Sequence, residues 1–337
     1  MISLATPIVQ GGMGIGVSLG RLAGTMARFG GMGTISAIHP GYRDPKFEED
    51  RLAADVRAIH EEVAKARDIA QGNGLIAVNI MVAITEFENM VKASVEAGAD
   101  ALVCGAGLPL KLPELVGDSD IKLIPIVSGV RAAQLIMRAW GRHYGRRPDA
   151  FVLEGPLAGG HLGFKLEELK NPVPLLSMVK EFSAWLKKDQ LDIPLIVAGG
   201  IEPEDVPALR DAGADAIQLG TAFIATEECD AHPIFKDQII RATESIIIQS
   251  PVGMPGRALF TPLQERLRNV DRIPSLRCTN CLKPCDPRTT VYCIKDALLA
   301  SARGVLERGL FFAGAGVGKF SKIVSVGDRI AQYLERG

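Results

Sequence analysis

Short aliphatic runs ending in small or polar residues recur along the chain, each followed by a stretch with apolar positions at three- and four-residue spacing. A strand covered on both faces needs no polar alternation, so the first pattern predicts buried parallel strands and the second amphipathic helices. Eight runs read as strands, at 4–9, 33–37, 75–80, 101–104, 123–127, 150–153, 194–197 and 216–219. Helical stretches lie between them, among them 50–69, 87–97, 130–140, 174–187 and 206–212. Ala-Gly-Ala-Asp-Ala occurs at 97–101 and again at 212–216, and Gly98 and Gly213 are the residues expected to turn left-handed as a helix closes.

Eight consecutive βα units predict an α/β fold, a (β/α)8 TIM barrel closed over residues 1–245, rather than a doubly wound sheet. The rhythm then breaks. Residues 246–325, rich in Pro, Gly, Arg and Cys, read as an appended cap with a Cys-rich loop at 278–293, and 326–337 carry a C-terminal helix packing back on the barrel.

Composition agrees with buried aliphatic strands and Gly-bearing loops: of 337 residues 47% are hydrophobic, 5% aromatic and 36 are Gly. A net charge of −1 gives no electrostatic case for nucleic acid or a membrane surface as partner, which leaves a small-molecule substrate and an oligomer open. The N-terminus lacks a charged segment before its first apolar run and reads as no signal peptide. Without an apolar run of about 18 residues and with six Cys in so long a chain, a reducing cytoplasm is expected.

In such a barrel, function gathers where strands end. Strand one ends in Gln10-Gly11-Gly12-Met13-Gly14, strand three in Asn79, strand five in Ser128, and strand six in Glu154 followed by Gly159-Gly160-His161. Strands seven and eight end in Gly199-Gly200 and Gly220-Thr221, where bare backbone and helix N-termini predict a phosphate cup. His161, on a small-sided loop over the mouth, is the candidate catalytic residue, as general base or donor, whereas His39, His60, His143 and His232 read as structural or surface residues. The segment GGMGIG at 11–16 lacks the third Gly of a dinucleotide fingerprint and is better suited to lying flat against a ring system. AGAGVGKF at 313–320 departs from a nucleotide triphosphate loop and reads as a Gly-rich loop facing the ligand.

Taken in order, PIVQGGMG, VNI, EGPLAGGHLG, VAGGI and QLGTAF resemble the nitronate monooxygenase (2-nitropropane dioxygenase) family and its relative, the FMN-dependent enoyl-ACP reductase, over roughly residues 1–260. The resemblance implies FMN, with Gly199, Gly200, Gly220 and Thr221 at its phosphate. It places Gly11, Gly12, Met13, Asn79 and Ser128 near the ring and ribityl chain, Gln218 or Glu154 deeper, and His161 as the active-site histidine. The implied reactions are oxidation of an alkyl nitronate with O2 or reduction of an enoyl thioester by NAD(P)H. An acyl-carrier protein would prefer a basic rim, for which Arg257, Arg266, Arg268, Arg272 and Arg277 are candidates, while Arg138, Arg142, Arg146 and Arg147 are expected at the opposite face.

Cys278, Cys281, Cys285 and Cys293 have spacing suited to an all-thiolate zinc site or a [4Fe–4S] cluster, which would tilt function toward a reductase. A non-redox phosphate-ligand barrel is the competing class, yet Gln10, Asn79 and Ser128 are polar and uncharged, better suited to a flavin ring than to acid, base or Lys chemistry.

Overall fold

The computed structural model describes residues 2–275 and 277–335. Eight parallel strands close the barrel in the order β1 (Ile8–Gln10), β2 (Met32–Ser36), β3 (Leu75–Met81), β4 (Ala101–Gly105), β5 (Lys122–Val127), β6 (Phe151–Glu154), β8 (Leu195–Ala198) and β9 (Ala216–Leu219), with β9 pairing back on β1. Between β6 and β8 the chain forms a short β7 (Gly160–His161), and the cap adds β10 (Ile246–Gln249) and β11 (Pro255–Ala258). The expected TIM barrel is therefore present.

Alternation along the strands divides two cores. Ala101 and Val103 of β4 and Val152 of β6 fill the barrel interior with Val9, Ile124 and Ile196. Their neighbours Leu102, Cys104, Phe151 and Leu153 face the helices. The helix Gly20–Arg28 lies so close to its neighbours that a Cβ at Gly24 would come 2.6 Å from the Ala66 carbonyl oxygen, and one at Gly33 only 1.8 Å from that of Ala23. Gly98 and Gly213 hold φ of +75° and +108° as expected of helix-closing residues.

Two expectations shift. The first strand begins at Ile8 rather than residue 4, because Pro7 has no N–H to donate and Ile8 N–H instead closes a 2.7 Å turn onto Thr6. His161 stands in a strand rather than a free loop: β7, β11 and β10 form a three-stranded antiparallel sheet in which His161 pairs with Gly256. The C-terminal helix Val326–Leu334 returns to the barrel, and buried Tyr333 donates to the Ile201 carbonyl at 3.2 Å. No helix among the described residues is long and apolar enough to cross a membrane.

Candidate active site

A cavity of about 240 Å³ opens at the C-terminal ends of the strands. Its walls carry Gly11, Gly12 and Met13 from β1, Asn79 from β3, and Glu154, Gly159, Gly160 and His161 beyond β6. Gly199 and Gly200 follow β8, and Gln218, Gly220 and Thr221 close the circle at β9. Thirteen of the fifteen residues singled out as catalytic or cofactor-binding thus share one cavity.

Gln10 and Ser128 do not line that cavity. Gln10 is fully buried beneath the mouth, its amide oxygen accepting from Thr34 N–H of β2 at 3.0 Å and its amide nitrogen donating to the Gly11 carbonyl, so both ends of its amide are spent within the fold. Ser128 sits behind the loop that follows His161, where a Cβ on Gly163 would come 3.2 Å from its own Cβ.

The cradle after β8 and β9 is built for an anion. Gly199 and Gly200 hold φ of +105° and +73°, and a Cβ on Gly200 would meet Leu157 Cβ at 2.5 Å. The N–H groups of Gly200, Gly220 and Thr221, all of which line the cavity, have no acceptor among the described residues, which leaves them available to an anion. Thr221 Oγ1 accepts from Gly314 N–H at 2.8 Å, which draws the Gly-rich loop of 313–320 over the cavity. Gly12 lies flat on Asn79, whose Cβ would be 2.3 Å from any added side chain, and Asn79 Nδ2 donates to the Val103 carbonyl at 3.0 Å, which frees its oxygen.

Deeper in the cavity two polar groups await a partner. Gln218 Oε1 is buried without a hydrogen bond, and burial raises the Glu154 carboxyl to about 8, so that it is a neutral acid at pH 7. An orphaned acceptor, a neutral carboxyl able to donate, a flat Gly wall and a donor-lined anion cradle fit a flavin mononucleotide in chemistry and in polarity.

His161 sits between this cavity and a second one. Its Nε2 lies 2.8 Å from Ser250 Oγ, its ring meets Phe312 edge-on at 5.0 Å, and burial lowers its pKa to about 4. The second cavity, of about 320 Å³, also shares Ile38, Met81 and Leu298 with the first. Thr279 to Leu282 of the Cys-rich segment roof it, held by Thr85 N–H to the Cys281 carbonyl at 3.1 Å and Lys283 N–H to the Ala83 carbonyl at 2.9 Å.

Among the described residues no group of three His, Cys, Asp or Glu is placed to hold an ion. Cys278 is exposed, Cys281 packs against the core with its thiol pushed up to about 11 by burial, and Cys293 immediately precedes the helix Ile294–Ala302 without a side-chain bond to it. Arg257 also leaves the expected basic rim. It is buried and donates to the Pro156 carbonyl at 3.1 Å, bracing the turn after β6. Arg146 bonds the Ile121 carbonyl at 2.7 Å, at the opposite end of the strands as expected.

Phe312, Leu298 and Tyr333, unremarked in the sequence, join the wall because the cap and last helix fold over the mouth. Only the adjacent Gly-rich run at 313–320 signalled any of them.

A parallel barrel with an anion cradle after its last two strands, a flat Gly wall and a half-buried histidine over the mouth defines a cofactor-binding barrel enzyme. The family model described as nitronate monooxygenase matches residues 1–336, and the chain belongs to that family. A probable nitronate monooxygenase of Staphylococcus saprophyticus is 26% identical over 301 residues, covering 80% of each chain. Another, from Bacillus subtilis, is 27% identical over 270 residues and covers 72% of each. Among solved structures, FabK from Thermotoga maritima superposes with TM-score 0.74 at 25% identity over 99% of this chain and 93% of that one. A nitroalkane oxidase from Streptomyces ansochromogenes reaches 0.73 at 20% identity over 99% and 97%. The chain is an oxidoreductase enzyme, and its family implies a flavin.

Proposed function

We propose that the protein is an FMN-dependent nitronate monooxygenase acting on small alkyl nitronates. The observation that carries this reading is the meeting of two cavities at His161, one fitted to a flavin and one free for substrate. When bound, FMN supplies acceptance of an electron pair from the substrate and its passage to O2, which yields a carbonyl compound and nitrite. Gly200, Gly220 and Thr221 hold its phosphate on backbone N–H groups, while Gln218 Oε1 and Asn79 Oδ1 supply acceptors toward its ring and chain. His161, neutral and tethered by Ser250, offers its remaining ring edge to the substrate's oxygen atoms. Phe312 and Leu298 shut water from the space between.

Purified protein is expected to be yellow and to bleach rapidly when an alkyl nitronate is added without oxygen. A protein that stays colourless after addition of FMN supports the non-redox phosphate-ligand barrel instead. The similarity to FabK favours a second reading, an NAD(P)H-dependent reductase of an enoyl thioester carried on an acyl-carrier protein. Rapid bleaching by NADH or NADPH, with no response to nitronate, selects it.

A further inference from the structure

The Gly-rich loop of 313–320 is bonded to each of three strand-end loops around the phosphate cradle. Gly314 N–H meets Thr221 Oγ1 after β9 at 2.8 Å, and Ala315 N–H meets the Leu157 carbonyl after β6 at 3.0 Å. The third tie is an ion pair, from Lys319 Nζ to Glu202 Oε1 after β8, at 3.3 Å. Gly316 makes room for it, since a Cβ there would collide with that same oxygen. Gly318 packs as tightly from behind, against the Thr243 carbonyl. The loop is thus a strap across the cradle, tied on three sides.

Glu202 has an unusual position for an acid. It lines the cofactor cavity two residues beyond Gly200 with its side chain 18% exposed, and Glu204 and Asp205 on the same turn add negative charge. A carboxylate beside donors that await an anion opposes the ligand they suit. Burial raises the Glu202 pKa and Lys319 opposes the rise, favouring the charged form. Because Lys319 is 62% exposed, such a pair contributes little to the stability of the fold. Its effect falls on the ligand. A flavin that ends in one phosphate is complete at the cradle, whereas an adenine dinucleotide carries a second phosphate, a ribose and a base beyond it. Those groups must pass between the strap and Glu202, where they meet a closed seam and a negative charge.

We infer that the Glu202–Lys319 pair selects the flavin, retaining a monophosphate under the strap and refusing an adenine dinucleotide. Glu202 rejects the second phosphate by like charge and by closing the seam, and Lys319 keeps that rejection from falling on the first. The inference rests on the flavin reading of this cavity and adds the residues that decide which flavin enters.

The test is titration of the flavin-free protein with FMN, FAD and riboflavin, followed by flavin fluorescence, with a melting curve for each variant. Wild type should bind FMN about 100-fold or more tightly than FAD. Glu202→Gln, nearly isosteric, removes the rejecting charge and should cut that preference about tenfold, mainly through tighter FAD binding. Lys319→Met leaves Glu202 uncancelled and should weaken FMN about tenfold with the preference over FAD kept, while Lys319→Arg restores wild-type binding. Riboflavin, which has no phosphate, should bind all four proteins within about twofold. Loss of packing alone would not separate the flavins in this way. The inference is overturned if wild type binds FAD as tightly as FMN, if Glu202→Gln keeps the preference intact, or if Lys319→Met weakens riboflavin as much as FMN. Wild type that binds neither riboflavin nor FMN overturns the flavin reading itself. Equal binding of FMN and FAD leaves that reading standing and sinks this one.

Discussion

His161 and Ser250 are 89 residues apart in sequence and 2.8 Å apart at Nε2 and Oγ. Ser250 ends the run that begins with β10, and His161 forms β7, so the hydrogen bond ties the cap directly to the histidine that stands over the barrel mouth. Ser250→Ala removes a hydrogen-bond partner from the half-buried His161 ring, a loss of about 1 kcal/mol. We expect kcat with a nitronate to drop roughly tenfold with flavin content unchanged, and Ser250→Thr to restore most of it. Steady-state kinetics beside the flavin absorbance of each variant checks this.

Burial holds His161 neutral down to about pH 4, well below its ordinary 6.5. Its ring protons should therefore not titrate between pH 8 and 5 in NMR spectra assigned through His161→Gln. An unfolded chain binds the proton at a higher pH than the folded one. This group's contribution to stability is thus full above about pH 6.5 and lost as pH falls toward 4, which urea midpoints for wild type and His161→Gln would measure.

Glu154 has the opposite sign. Its folded pKa of about 8 exceeds the ordinary 4.5, so its contribution to stability is full below 4.5 and lost as pH rises through 8. Above that pH a negative charge appears in the cofactor cavity. Flavin affinity of the wild type should fall about tenfold between pH 7 and 9, and Glu154→Gln, which mimics the neutral acid, should show a flat profile by fluorescence titration.

Gly200 and Gly220 should respond differently to the same change. Gly200→Ala places a methyl 2.5 Å from Leu157 Cβ on a backbone of φ +73°, and we expect it to lose flavin about 100-fold and to lower the melting temperature. Gly220→Ala meets only Met13 Sδ at 3.5 Å with φ of −108°, so it should melt within a few degrees of wild type. Thermal melts with and without FMN separate the two.

The barrel was legible because eight aliphatic runs carry its strands, and most of the cavity wall because it consists of strand ends. Gln10 misled: a polar residue closing a strand can point into the mouth or turn inward to join its neighbours, and only its amide partners decide. The cysteine spacing alone did not show where the segment docks. That spacing is local, but the segment's main chain is committed to the loop after β3, a contact almost 200 residues away in sequence. The cap sheet was invisible for the same reason: its third strand is two residues long and belongs to the barrel half of the chain.

That two-residue strand also sets an order of events during synthesis. β7 leaves the ribosome long before β11, and the aromatic ring against His161 belongs to Phe312, later still. All eight barrel strands and both glycine turns of the phosphate cradle precede in the chain the residues that contact the mouth histidine, Ser250 and Phe312. The last quarter of the polypeptide thus supplies both the hydrogen-bond partner and the aromatic neighbour of the mouth histidine, along with part of the cavity wall.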